Sequence, residues 1–253
     1  MTDSSLYNTV LIGWLAIAAF TVPYLLFVSA PYGRHIRKGW GMTIANHIGW
    51  ILMELPSPLG MILFFVIGSK TAGIVPSVFL AMFLFHYINR SIIYPLRIRN
   101  KNTSMPVAIM GSAIVFNLTN SYLQGMYLFE LSDLYQTSWL LDPRFIVGVV
   151  MFFAGFAINY HSDSILRNLR KPGETGYKIP KGGMFRFVTS PNYFGEILEW
   201  TGWAIATWSL PGLAFALWTA ANLIPRAFKH HQWYKKKFEK YPENRRAIVP
   251  FIL

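Results

Sequence analysis

Seven long apolar stretches constrain this chain more than any other feature. They run over about Asn8–Ala30, Ile44–Ile67, Ala72–Tyr94, Met105–Phe129, Phe145–Tyr160, Tyr193–Leu210 and Pro211–Phe228. A helix needs about 20 mostly apolar residues to cross a bilayer, and runs this long do not suit a soluble core. Only 13% of the residues are charged, where soluble domains carry about 25%. The expected fold is therefore all-α, a multi-pass integral membrane protein with about seven transmembrane helices. Only Ser209-Leu210-Pro211-Gly212 separates the last two runs, which suits a tight hairpin. The start of the chain has no basic segment, and its first apolar run is too long for a cleaved signal peptide.

The net charge of +12 does not signal nucleic acid, because the apolar bulk would have nowhere to go in water. It follows instead from membrane orientation. If the N-terminus faces away from the cytoplasm and each run crosses once, the cytoplasmic segments are about 31–43, 95–104, 161–192 and 229–253. With Arg226 at the last border, these hold 20 of the 23 Lys and Arg residues, as the positive-inside rule requires. Lys70 and Arg144 fall on the opposite side with Glu130, Asp133 and Asp142, and Arg90 lies within a run. Loss of one span would scramble this pattern. Cysteine is absent, which excludes disulfides and a cysteine nucleophile. The six histidines form no His-x-x-x-His pair, and no metal site is expected.

Ionisable groups inside a membrane cost several kcal/mol and usually serve function. His47 and Glu54 share a helical face in the second run, and Glu54 stands before Leu-Pro-Ser-Pro. Prolines free backbone carbonyls, which are tolerated only in a cavity or against protein; a kinked structural helix is the plain alternative. The third run ends in His86-Tyr87-Ile-Asn-Arg90, with Tyr87, Arg90 and Tyr94 on one face, and reads equally well as an interfacial anchor. The fifth leads into Asn159, Asp163, Arg167 and Arg170. A Gly- and Pro-rich basic loop with Tyr177 follows, where the plain alternative is a solvated loop. Ser190-Pro191 reads as a helix start with Ser as N-cap, and Asn192, Glu196 and Glu199 follow at helical spacing. Arg226, His230 and Tyr234 recur every four residues on the last helix.

Cations beside Asn and carboxylate groups suit a nucleotide: Arg97, Arg99, Lys101, Arg167, Arg170 and Arg226 for phosphates, Asn159, Asp163, Asn192 and Glu196 for ribose and amide. There is no G-x-G-x-x-G and no phosphate-binding G-x-x-x-x-G-K-[ST], so such a site would be built between helices. Glu54 and Tyr87, beside apolar walls, suit a lipophilic substrate with one polar group.

Glu54-Leu-Pro-Ser, His86-Tyr87, Asn159-x-His-Ser-Asp163, Leu169-Arg-Lys-Pro-Gly-Glu174, Tyr177-x-Ile-Pro, Asn192-x-x-Gly-Glu196-x-x-Glu199-Trp200 and Arg226-Ala-Phe together resemble the steroid 5α-reductases. The resemblance runs from about Gly33 to the C-terminal Pro250-Phe-Ile-Leu. The Asn-Tyr-Phe-Gly-Glu segment alone is less specific, because sterol C14-reductases and isoprenylcysteine methyltransferases carry similar ones. One departure is Ile98, where vertebrate members carry Asn. The family reduces the C4–C5 double bond of 3-oxo-Δ4 steroids with NADPH, hydride reaching C5 while the C3 carbonyl passes to an enolate. The resemblance therefore implies NADPH as cofactor and a lipophilic steroid as substrate, with Glu54 and Tyr87 catalytic. It also implies that Arg99, Lys101, Asn159, Asp163, Arg167, Arg170, Tyr177, Asn192, Glu196, Arg226, His230 and Tyr234 bind the cofactor. The chain is then one membrane domain, 1–253, with substrate-side helices in 1–104 and a reductase half in 105–253. It is expected to work as a monomer among membrane lipids, in the endoplasmic reticulum or a bacterial inner membrane, with a cytoplasmic C-terminus. A membrane methyltransferase using S-adenosylmethionine, a reductase of another lipid enone or polyprenol, and a non-enzymatic lipid-binding protein are the alternatives. The topology has a direct test. Reporter tags fused to the two termini should report opposite sides of the membrane, and tags on one side would refute it.

Overall fold

A computed structural model describes residues 3–27, 39–99, 103–170, 174 and 176–253. Nine α-helices carry nearly all of the regular structure among them: α1 (Asp3–Phe27), α2 (Asn46–Glu54), α3 (Pro56–Ile67), α4 (Ile74–Ile88), α5 (Tyr94–Leu96), α6 (Val107–Met126), α7 (Pro143–Asn168), α8 (Pro191–Thr207) and α9 (Leu210–Lys237). The all-α expectation needs one small amendment. Strands β1 (Thr43–Ala45) and β2 (Ser104–Pro106) pair antiparallel, with Ile44 opposite Met105. Among the described residues, four stretches are long and apolar enough to cross a membrane: Ser4–Leu25, Asn46–Ile67, Ile74–Leu96 and Pro143–Asn168. Their outward faces carry Phe20, Val66 and Val150, each more than 60% exposed. Apolar surface on this scale belongs in lipid rather than water.

The described residues fall into two compact units, Ala30–Ile146 and Met1–Ser29 with Val147–Leu253. In Ala30–Ile146, α3 packs on α4 and α6, and α2 packs on α6. Leu55, between α2 and α3, keeps right-handed helical dihedrals, and its N–H still reaches Ile51 O at 3.0 Å. The prolines therefore remove N–H donors without turning the chain. After α4 the helix widens to a π-helical turn, Asn89–Ile93. Ser91 Oγ donates to Tyr87 O at 2.6 Å there. Such turns re-aim the side chains that follow and recur at functional sites. Phe79, Phe83 and Phe129 are wholly buried, and the Phe79 ring lies edge-on to Tyr135 at 5.0 Å.

In the other unit, α1 packs on α9 through Trp14 and Trp218, whose indole N–H donates to Trp14 O at 3.0 Å. α8 and α9 form the expected hairpin. Trp208 takes a left-handed conformation and Ser209 Oγ accepts from Gly212 N at 3.0 Å. α7 and α8 meet along a seam of glycines, Gly148 and Gly155 on one helix and Gly195 and Gly202 on the other. Lipid chains are as apolar as Leu, so helices in a bilayer associate through such close packing rather than through the hydrophobic effect. A Cβ on Gly195 would meet Asn159 N at 2.5 Å and Gly155 O at 2.7 Å, both main-chain atoms that cannot swing aside. Gly195→Ala should destabilise the protein by about 1–3 kcal/mol, the usual cost of overpacking. Gly111→Ala, with open space around it, should not. Thermal unfolding in detergent separates the two, and equal midpoints would remove the seam's role.

Candidate functional site

In Ala30–Ile146 the polar groups gather where α2, α6 and the π-helical turn meet. Glu54 ends α2, and its side chain is 13% exposed. Its Oε1 lies 3.7 Å from Arg90 Nε, and Asn117 Nδ2 of α6 donates to its Oε2 at 3.3 Å. The Arg90 guanidinium sits over Trp50 at 4.5 Å and Tyr94 at 5.2 Å, where ring quadrupoles favour a cation in a dry setting. Arg90 is thus tied to Glu54 rather than serving only as an interfacial anchor. Asn117 Nδ2 also donates to Met53 O at 2.6 Å, and Ser57 Oγ donates to Asn117 Oδ1 at 3.0 Å. Tyr87, near the end of α4, is buried and stacks on Phe83 at 4.6 Å, with His86 edge-on at 5.0 Å. Arg99 is exposed in this same unit, and Lys101 lies outside the described residues.

In the other unit α7 continues to Asn168, two turns past the end of its apolar run at Tyr160, so Asn159, Asp163 and Arg167 stand on one helix, as their spacing suggests. The glycine seam brings the start of α8 against them. Asn159 Nδ2 donates to Asn192 O at 3.0 Å and to Glu196 Oε2 at 3.3 Å, and Asn192 Nδ2 donates to Asp163 Oδ1 at 3.1 Å. Ser190 holds the N-cap position, but its hydroxyl caps nothing, contrary to expectation. Ser190 Oγ and Ser162 Oγ are buried with no hydrogen-bond partner among the described residues. α9 runs on to Lys237, so Arg226, His230 and Tyr234 share one helix. Arg226 lies over the Tyr193 ring at 6.0 Å and the His230 ring is 5.5 Å from it. Arg170 donates to Gly176 O at 3.2 Å and lies over Tyr177, whose ring meets Trp233 at 4.7 Å. Tyr234 is buried against Trp233, Phe238 and Tyr241. A surface groove of about 430 Å³ beside α7, walled by Ala157, Met184 and Phe187, holds none of the Asn159–Glu196 cluster.

The family model described as 3-oxo-5-alpha-steroid 4-dehydrogenase matches residues 103–253. The chain is 44% identical to "Steroid 5-alpha-reductase DET2" of Gossypium hirsutum, over 99% of both chains. It is 45% identical to "3-oxo-5-alpha-steroid 4-dehydrogenase 1" of Mus musculus, over 95% of this chain and 94% of that one. With the Homo sapiens protein of that name the figures are 46%, 87% and 85%.

The chain belongs to the 3-oxo-5-alpha-steroid 4-dehydrogenase family. Membership makes it an oxidoreductase acting on CH–CH groups and decides against the methyltransferase and lipid-binding readings. It also implies a nicotinamide cofactor. The residues of α7, α8 and α9 fit such a group. Two buried hydroxyls with open bonding capacity stand beside an amide–carboxylate cluster that suits ribose and carboxamide, with Arg167, Arg170 and Arg226 as cations for phosphate. Sequence reasoning missed Asn117, Ser57 and Trp50. A signal for the first was present: Asn117, Asn120, Ser121 and Gln124 form a polar stripe on one helical face of an apolar run.

The start of α8 is held by the C-terminal segment. Thr189 N donates to Arg246 O at 2.8 Å, and Thr189 Oγ1 lies 2.6 Å from His231 Nδ1 and 2.7 Å from Tyr241 Oη. Burial, then Lys235 and Arg246, push the His231 pKa below its ordinary 6.5. The neutral ring is therefore the form this packing favours. Its stabilising effect is fully present above pH 6.5 and is lost as pH falls through the lowered value. The thermal midpoint should fall between pH 7.5 and pH 5 (roughly spanning the His range) by more in the parent than in H231Q. Parallel curves would exclude His231 as the titrating group.

Proposed function

We propose that the protein is a steroid 5α-reductase that reduces the C4–C5 double bond of 3-oxo-Δ4 steroids with NADPH. The observation that supports it best is Glu54, a carboxyl group inside an apolar helix pair, held between Arg90 and Asn117 in a chain of this family. When bound, a nicotinamide held by the α7–α9 residues would supply a hydride for C5, and C4 would take a proton from water or a relay. The protein's own task is at the C3 oxygen, where negative charge grows. The Tyr87 hydroxyl donates to that oxygen. Glu54 shares the donor role when it carries a proton and orients the Tyr87 hydroxyl when it does not. Preorganised donors in a dry site need no reorganisation as the charge forms, and apolar helices keep water away from both reactants.

Arg167, Arg170 and Arg226 favour NADPH over NADH, because a 2′-phosphate needs a cation. Asn159, Asp163, Asn192 and Glu196 hold ribose and amide groups, with Tyr177, His230 and Tyr234 packing around them. Arg99 and Lys101 serve as further phosphate cations. One chain carries both sets of groups, so a monomer suffices. Seven spans remain the favoured topology, with a cytoplasmic C-terminus. The polar residues that keep α6 from reading as a plain apolar span, Asn117, Asn120, Ser121 and Gln124, are all buried, so they do not face lipid.

The test is turnover of a panel of Δ4-3-keto steroids by purified protein with NADPH or NADH, beside direct nucleotide binding. Tyr87→Phe should lose ~10²–10³ in rate, as for one oxyanion donor, and Glu54→Gln a comparable amount. The double variant should be little worse than either, since both serve one oxygen. Nucleotide binding and thermal stability should survive in all three. Tyr87→Phe at the parent rate would sink this chemistry, and equal use of NADH would sink the cofactor assignment.

A further inference from the structure

We propose that Asn117 is a positioning residue for Glu54, fixing the carboxyl group in the orientation that serves the substrate carbonyl. The inference rests on the role given to Glu54 above. Asn117 is 4% exposed in the middle of α6, facing the junction of α2 and α3. Pro56 and Pro58 have no N–H, so the α-helical pattern leaves Leu52 O and Glu54 O without their usual donors. At this same stretch Asn117 reaches in from a neighbouring helix. One atom, its Nδ2, donates to Met53 O at 2.6 Å and to Glu54 Oε2 at 3.3 Å. The carboxyl group is thereby tied to the main chain of its own helix.

Which end of the amide faces Glu54 is settled by chemistry. Turned over, Asn117 would set its oxygen against the Met53 carbonyl, an acceptor whatever the protonation of Glu54, whereas in the observed pose that oxygen accepts from the wholly buried Ser57 hydroxyl at 3.0 Å. Arg90 Nε, 3.7 Å from Oε1, brings charge but is too far for a directed bond. Asn117 gives Oε2 a directed bond. On the elements packed against the pair, the titratable groups are His47 on α2, His86 and Tyr87 on α4, Arg90 in the π-helical turn, Tyr94 on α5, and Tyr122 on α6 with Tyr127 and Glu130 beyond it.

A structural role alone predicts lost stability with no change in the shape of the pH–rate profile. Positioning predicts more. N117L should fold, bind NADPH and keep its steroid KM, yet lose up to about a hundredfold in kcat, the effect of a misplacement of about 1 Å. In N117D the introduced carboxyl, when protonated, donates to Glu54 as the amide did. Once ionised it opposes Glu54 across about the same gap. Its kcat should therefore approach the parent value at acid pH and fall as pH rises, a fall the parent lacks. S57A should lower kcat in the same direction by less. A folded N117L at the parent kcat overturns the inference while leaving Glu54 and Tyr87 in place. If Glu54→Gln itself turns over normally, both fall together. Should N117L fail to fold, N117D decides alone: a profile parallel to the parent's between about pH 5 and 8 overturns the inference.

Discussion

A polar group inside a bilayer has no water to bond, and each one left unpaired costs several kcal/mol. The helices of Ala30–Ile146 are arranged around that constraint. Two prolines after Glu54 remove N–H donors from the α2–α3 rod, and a carboxyl group stands at the same place. Beside the freed carbonyls, α6 supplies a side-chain amide that bonds the Met53 carbonyl and the carboxyl together. The π-helical turn after α4 presents Arg90 to the other carboxyl oxygen, with Trp50 and Tyr94 sheltering its charge. Ser57 completes the set. A network of this kind is worth having only when its members are satisfied, and then it holds its side chains in one arrangement.

The second unit meets a different demand, which is to bring two polar helix ends close enough to share hydrogen bonds. Glycines at seven-residue spacing on α7 and on α8 let the backbones touch. The approach that sets Gly195 against Asn159 N also sets Asn159 Nδ2 against Asn192 O and Glu196. Packing and site chemistry are therefore one feature. The C-terminal segment finishes the arrangement by pairing with Thr189 and Ser190 just ahead of α8. The start of that helix is thus fixed from both sides of its sequence.

Much of this was legible in advance. Apolar run lengths yielded the helices, and α2 with α3, α4 with its π-helical turn, and α6 all lie within a few residues of the runs that announced them. Four of those stretches satisfy length and hydropathy for a span. Of the remaining runs, α6 carries a stripe of buried polar residues and α9 ends in basic ones. Glu54, Tyr87 and the Asn159–Asp163 pair stood out because an ionisable or amide group in an apolar run has few innocent explanations. Asn117 did not, because a neutral amide in a helix is unremarkable until its partners are known.

The sequence by itself determined which segments are helical, which face carries the polar groups and which family the chemistry resembles, since period, length and residue type are local properties. It could not determine pairings. That Arg90 turns to Glu54 depends on a π-helical turn whose extra residue no periodicity shows. That Asn117 bonds the Met53 carbonyl and the Glu54 carboxyl at the α2–α3 junction depends on two helices about 60 residues apart in the chain meeting at one register. That Ser190 N bonds Ala247 O depends on the C-terminal segment lying against the start of α8. Each is a distance between residues remote in sequence, and only the packed helices set such distances.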